Sequence, residues 1–177
     1  MKKNKLDKII EFNNQNVYTA KSPKGYGYTY FAKRDLKKGE IVISGFGKIV
    51  DHQTPHISIQ IDHNKHYLPL KLTGKYWNHS CNPNTHIKTR SDGFPDFVAT
   101  KNIKKGEEIT YAYWMSEHGW IKGADENFVK CVCGEETCFG IISSFSQLQK
   151  RHRKKALETG SVSKYLKNIY NDRKGSV

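Results

Sequence analysis

Four cysteines constrain this chain more than any other feature. Cys131, Cys133 and Cys138 fall within Cys131-Val-Cys133-Gly-Glu-Glu-Thr-Cys138, whereas Cys81 lies far upstream in Asn78-His79-Ser80-Cys81. On an extended segment a Cys-x-Cys pair presents both sulfurs on one face, and Gly134 lets the backbone turn so that Cys138 returns to the same point. Three thiolates then converge. A closed structural zinc site takes four ligands, so Cys81 or one of the eight histidines completes the tetrahedron. The rival arrangement, two disulfides, has three connectivities and requires an oxidising compartment. The basic amino terminus lacks the apolar run of a signal peptide, and no segment approaches the roughly 20 apolar residues of a membrane span. The expectation is a soluble, intracellular protein of cytoplasm or nucleus, with no membrane partner, whose cysteines bind Zn2+.

The 177 residues suit one domain with a decorated end. Apolar residues make up 36% and aromatics 12%, with ten tyrosines, a balance that favours aromatic-packed β structure over a helix bundle. The formal net charge is +13. From Ile141 onward nine Lys or Arg stand against Glu158 and Asp172, so this tail supplies +7 of it. Such a basic run attracts polyanions, and nucleic acid is the expected partner there; a solvated helix face is the plain alternative.

Short runs rich in Val, Ile, Thr, Tyr and Phe, punctuated by Gly, Pro, Asn and Asp, predict strands near Val17 to Ala20, Tyr28 to Ala32, Glu40 to Ser44, Ile57 to Ile61, His66 to Leu70, Phe97 to Thr100 and Glu108 to Tyr113. After Cys138 the periodicity becomes helical. Ser143 or Ser144 is placed to cap one helix ending near Gly160, and Ser163 to cap a second carrying Tyr165, Leu166, Ile169 and Tyr170. The ends, residues 1–10 and 172–177, read as frayed.

Phosphate loops, His-Glu-x-x-His, Gly-x-Ser-x-Gly and Gly-x-Gly-x-x-Gly are absent, which moves kinases, serine hydrolases and ordinary dinucleotide enzymes down the list. What remains is an ordered series: Gly25-Tyr26-Gly27, then Asn78-His79-Ser80-Cys81-Asn82-Pro83-Asn84, then Gly106-Glu107-Glu108-Ile109-Thr110-Tyr111-Ala112-Tyr113, then Cys131-x-Cys133-Gly-x3-Cys138-x-Gly140. Over residues 15 to 143 this series resembles the SET-domain protein lysine methyltransferases with a post-SET zinc cluster.

The resemblance implies a mainly β fold, a β-clip of several short curved sheets with a pseudoknot, plus a small C-terminal helical appendage. It divides the chain into an N-terminal extension (1–14), a SET domain (15–113), a linker or candidate lid (114–126) carrying Trp114 and Trp120, a post-SET segment (127–143) and a basic helical tail (144–177). It implies that Lys24, Gly25, Tyr26, Gly27, Asn78, His79 and Tyr113 contact S-adenosylmethionine and that Tyr113 is the catalytic tyrosine. Tyr111 falls at a Phe/Tyr switch, and Cys81 joins Cys131, Cys133 and Cys138 as a Zn2+ ligand. The substrate implied is a histone tail or another basic protein with an exposed lysine, such as a ribosomal protein; a catalytically idle module that binds protein tails or nucleic acid is the alternative.

Methyl transfer to an amine is an in-line displacement that needs alignment and exclusion of water. If residues 111 and 113 share one strand, both hydroxyls face one channel; a hydroxyl at position 111 leaves less room for added methyls, which predicts mono- or dimethylation. The chain departs from the family pattern in Lys75-Tyr76-Trp77, where Trp77 replaces a smaller residue, and in a short segment between Ile43 and Tyr67 with little helical character.

Overall fold

The computed structural model describes residues 4–25, 27–54, 57–70, 74–119 and 130–172. Ten strands and three α-helices are described: α1 (Lys5–Asn16), β1 (Val17–Lys21), β2 (Tyr28–Ala32), β3 (Ile41–Ser44), β4 (Gly47–Val50), β5 (Ile59–Asp62), β6 (Lys65–Pro69), β7 (Asn78–His79), β8 (Thr85–Thr89), β9 (Pro95–Ala99), β10 (Glu108–Tyr111), α2 (Lys150–Glu158) and α3 (Lys164–Asp172). They form three small sheets, ordered β1-β2-β10-β7, β3-β9-β8 and β4-β6-β5. The fold is mainly β with a helical end, as the sequence indicates.

Pairing is antiparallel except between β10 and β7, where Thr110 faces Asn78 and Tyr111 faces His79. A parallel neighbour cannot come from a hairpin. Two residues of a distant loop are therefore laid beside the aromatic strand. Loop side chains clamp them there: Asn84 Nδ2 donates to Glu108 O at 2.8 Å, Thr110 N donates to Asn84 Oδ1 at 2.9 Å and Thr85 Oγ1 donates to Thr110 O at 2.8 Å. The main core gathers Tyr30, Leu36, Ile43, Tyr67, Ile87, Phe97, Ile103 and Ile109, all fully buried. Each such side chain contributes on the order of 1.5–3 kcal/mol by leaving water.

The amino terminus differs from the expected fraying. Asn4 Oδ1 caps α1 by accepting the Asp7 N–H at 2.9 Å. The helix docks through amides instead of an apolar stripe. Buried Asn13 donates to Ser44 O at 2.9 Å and accepts from Ser44 N at 2.8 Å, while Asn16 Nδ2 reaches the carbonyls of Ile41 and Val42 at 3.2 Å. These bonds cover the free edge of β3.

The carboxyl end holds a second apolar cluster of Phe145, Leu148, Ala156, Val162, Tyr165 and Leu166, and Trp114 packs against both clusters. Ser163 caps α3 as anticipated, accepting the Leu166 N–H at 3.4 Å. The first helix, however, starts at Lys150. Ser144 instead closes a turn in which its N–H and hydroxyl both donate to Gln147 Oε1, at 2.8 and 3.0 Å. The appendage is fastened to the segment after Tyr113 by Phe145 N to Glu117 O (2.7 Å), Ser146 N to His118 O (3.0 Å) and Ser163 N to Met115 O (2.8 Å). No described helix is long and apolar enough to cross a membrane.

Candidate active site and cysteine cluster

β10 ends at Tyr111, two residues short of carrying Tyr113 on the same strand. Tyr113 instead opens a 3-10 turn, Tyr113–Met115. This corrects the expectation of one shared strand face, yet the turn still brings the two rings together, with centroids 5.3 Å apart and tilted by 49°. Tyr111 is buried between Trp77 and Phe97, edge-on to each at 5.4 and 5.2 Å. Tyr113 is half-buried, and its hydroxyl donates to Trp77 O at 2.9 Å. Burial is the main cause that pushes Tyr113 up to about 12 and Tyr111 well above 10. Both are neutral phenols at physiological pH.

Trp77 fits into this aromatic wall. Its ring lies 3.9 Å from that of Phe97 and edge-on to Tyr30 at 5.5 Å, so the larger residue is absorbed by the core. Gly74 makes room for it: a Cβ there, already strained at φ +123°, would meet Trp77 Nε1 at 3.1 Å.

His79 links two parts of the site. Its Nδ1 accepts the Tyr113 backbone N–H at 3.1 Å and its Nε2 lies 3.5 Å from Cys81 Sγ. An accepting Nδ1 leaves the proton on Nε2, aimed at the sulfur. Burial lowers the histidine to about 4, so the ring stays neutral and this tautomer is fixed. Asn78 donates from Nδ2 to Glu108 Oε1 at 2.9 Å, giving Glu108 the structural part expected of it.

The four cysteines converge. All four are free thiols, and their sulfurs lie within 4.8 Å of one another. Cys81 Sγ is 3.7 Å from Cys131 Sγ and 4.0 Å from Cys138 Sγ. A tetrahedron of Zn–S bonds near 2.3 Å has edges of about 3.8 Å. The set thus matches zinc in donor type and spacing. Backbone donors support the sulfurs: Phe139 N points to Cys81 Sγ and Gly140 N to Cys138 Sγ, each at 3.4 Å. Glu135 ties the two segments, accepting from Ser80 Oγ at 3.3 Å and Asn82 Nδ2 at 3.2 Å.

The glycine turn closes on itself through Ser22 N to Gly27 O at 2.7 Å, and both Gly25 and Gly27 lie at positive φ, +83° and +85°. Lys24 Nζ donates to Cys133 O at 2.7 Å, so this turn meets the cysteine loop. Between them opens a cleft of ≈ 400 Å³ lined by Lys24, Asn82, Cys133, Gly134, Glu135, Glu136 and Thr137. That volume, with its polar lining, suits part of a nucleoside-sized ligand such as S-adenosylmethionine. Tyr26 lies outside the described residues, as does most of the candidate lid, including Trp120; Trp114 from that stretch is a packing residue.

Sequence reasoning missed Glu117. It is 5% exposed, accepting the Gln60 N–H at 2.9 Å and the Ser116 hydroxyl at 3.1 Å on Oε1, and burial pushes it up to about 7. Its only trace in the sequence is an acid six residues beyond the aromatic strand's end, in a segment with no recognisable motif.

Two adjacent tyrosines at and just beyond the end of β10, a neutral histidine bridging them to four thiols, and a cleft beside the cysteine loop form one continuous group. The SET domain family model matches residues 27–114, a span that runs from the glycine turn through both tyrosines, and the chain belongs to the SET-domain family through it. The H3 lysine-36 specific histone-lysine N-methyltransferase of Yarrowia lipolytica is 28% identical over 145 residues, 71% of this chain and 18% of that protein. That of Coccidioides immitis is 30% identical over 146 residues, 72% of this chain and 14% of its own. The chain thus spans less than a fifth of these relatives' length. The crystal structure of KRYPTONITE in complex with mCHG DNA and SAH shares the fold, with a TM-score of 0.57 at 21% identity over 72% of this chain and 29% of that one.

Proposed function

We propose that the chain is a protein-lysine N-methyltransferase that transfers a methyl group from S-adenosylmethionine to a lysine amine and stops at mono- or dimethyl-lysine. One observation carries the reading: inside a SET domain, parallel pairing of Asn78–His79 with Thr110–Tyr111 gathers buried Tyr111, half-buried Tyr113 and a neutral histidine around one point. The relatives' names support a histone tail as the substrate class, and hence chromatin as the place of action. Another basic protein with an exposed lysine, such as a ribosomal protein, offers the same chemistry.

S-adenosylmethionine supplies an electrophilic methyl on a sulfonium. Lys24, Gly25, Tyr26, Gly27, Asn78 and His79 are assigned to hold it, with Tyr113 at the transfer point. Tyr113, tethered through its hydroxyl to Trp77 O, presents a fixed dipole to the reacting atoms. The aromatic walls of Trp77, Phe97 and Tyr111 exclude water and favour cations. The Tyr111 hydroxyl limits the space for further methyls.

Zn2+ on Cys81, Cys131, Cys133 and Cys138 would bind the Asn-His loop to the segment closing the cleft. It would also hold Cys81 against His79, and through it the Tyr113 backbone. Residues 127–143 then act as the post-SET segment of a core at 15–113. The exposed Lys150, Arg151, Lys154 and Lys155 of α2 supply a nucleic-acid contact beside the substrate.

The test is transfer of labelled methyl from S-adenosylmethionine to histones, ribosomal proteins and cell lysate, with Tyr113→Phe as control. Incorporation that depends on Tyr113 supports the reading. No incorporation by the wild type, with measurable nucleic-acid binding, would assign a binding module instead.

A further inference from the structure

Glu117 takes no part in the steps above, yet it lies against the tyrosine pair. It follows the 3-10 turn that Tyr113 opens, where the chain leaves the SET core for the appendage. Its Oε1 is shared by the Gln60 N–H of β5 and the Ser116 hydroxyl, whereas Oε2 is buried without a hydrogen-bond partner among the described residues. A buried carboxylate kept for structure alone is expected to use both oxygens or to face a cation, because an orphaned charged oxygen is costly. No ion pair to Glu117 occurs among the described residues.

The groups facing it are nearly all neutral. They are Tyr111 from β10, Tyr113 from the 3-10 turn, the Ser116 hydroxyl, and Tyr165 from α3, which also feels Asp62 of β5. The next residue, His118, turns its ring toward Tyr165 and Tyr170. Ser116 stands beside both groups: its hydroxyl donates to Glu117 Oε1 at 3.1 Å and to Tyr113 O at 3.4 Å, and its side chain is near enough to the Tyr111 phenol to favour the ionised form. The Ser116 and Tyr111 hydroxyls are therefore neighbours of the buried carboxyl at the end assigned to lysine, and a relay needs only their alignment when the substrate binds.

Lysine arrives as an ammonium, whose ordinary value near 10.4 leaves very little free amine at neutral pH. Only the free amine can attack, so a proton must go somewhere. Neither tyrosine serves, since both are protonated phenols at neutral pH, and His79 has its accepting nitrogen occupied by the Tyr113 N–H.

We propose that Glu117 is the proton acceptor of the lysine end, taking up, through Tyr111 and Ser116, the proton that the substrate ammonium loses before methyl transfer. The proposal rests on the methyltransferase reading. The Nζ–H bond breaks with its electron pair left on nitrogen. Each hydroxyl of the relay accepts one proton and passes on its own, so Tyr111 and Ser116 are unchanged. An O–H bond forms at the Glu117 carboxyl. The free amine then attacks the methyl carbon as the carbon–sulfur bond breaks, its pair remaining on sulfur, and the carboxyl returns its proton to solvent before the next turnover. A carboxyl poised at about 7 is matched to that cycle.

The test compares the full chain with Glu117→Gln, measuring kcat/KM for labelled methyl transfer to a peptide that the wild type methylates, from pH 6 to 10. Wild-type kcat/KM should rise through about pH 7 and then flatten. The variant should lack that step, fall by about a hundredfold at pH 7, and recover above about pH 9 as the peptide lysine loses its own proton. Coincident profiles, or an equal loss at every pH, would overturn the proposal. If the variant fails to fold, carboxyl titration of the wild type by infrared difference spectroscopy decides. A group near neutral that moves with Tyr111→Phe supports the relay; one ionised down to about pH 4 and indifferent to Tyr111 refutes it. A wild type that transfers no methyl at any pH defeats the methyltransferase reading itself, a result distinct from an active enzyme indifferent to Glu117.

Discussion

Burying Glu117 should leave a signature in stability as well as in catalysis. The carboxyl rises from its ordinary 4.5 to about 7, so the native chain binds more protons than the unfolded chain between those values. Stability from this group is fully present below 4.5 and is lost as pH rises through 7. The two values give a loss of about 3 kcal/mol by pH 8 and under about 1 kcal/mol at pH 5. Glu117→Gln removes the titration while keeping the shape. At acid pH the protonated acid and the amide are near equivalents, each accepting from Gln60 and Ser116 and each carrying a donor with no partner. The variant's stability relative to wild type should therefore improve by about 2.5 kcal/mol between pH 5 and pH 8. For a chain of this size that corresponds to about 5–10 °C in Tm. Calorimetry or urea unfolding at the two pH values measures it. A gap between wild type and variant that stays constant from pH 5 to pH 8 would show that the carboxyl is solvated and that the burial argument is wrong.

Other outcomes are open to direct measurement. Tyr113→Phe deletes the hydroxyl on Trp77 O, so methyl transfer should fall by at least about a hundredfold while stability changes by no more than about 1.5 kcal/mol; a variant with wild-type turnover would remove Tyr113 from the mechanism. Tyr111→Phe should shift products toward trimethyl-lysine, read by mass spectrometry above about pH 9 where the peptide lysine needs no relay, and trimethyl-lysine from the unmodified enzyme would contradict the steric argument. Chelation or Cys81→Ser should lower bound zinc and weaken S-adenosylmethionine binding and activity together, since Cys81 contacts His79 and Lys24 contacts Cys133; cofactor affinity that survives metal loss would leave the cluster purely structural. Replacing exposed Lys150, Arg151, Lys154 and Lys155 with Gln should flatten the salt dependence of nucleic-acid binding, by up to about 0.9 in log–log slope per lost phosphate contact. Activity on a free peptide should not change, and an equal loss there would place the helix in the site.

Composition, alternation and turn residues determined most of the strands, because a period of two such as that along Ile57 to Ile61 or Glu108–Tyr111 is local and needs no partner to be seen. Spacing also marked the three clustered cysteines and, with the family resemblance, Cys81. Elements whose stability comes from distant groups were less legible. α1 escaped because it docks by asparagine amides on the edge of β3, which leave no apolar periodicity. β7 escaped because two residues pair only when β10 lies alongside. Tertiary contacts also ended β10 at Tyr111, turned Tyr113 into a 3-10 bend, set the His79 tautomer between a backbone amide and a sulfur, and made Glu117 a buried acid. The sequence thus determined which reactive residues the chain carries. Their protonation, orientation and mutual reach were decided by the tertiary structure, because burial and long-range hydrogen bonds exist only once the chain has closed on itself.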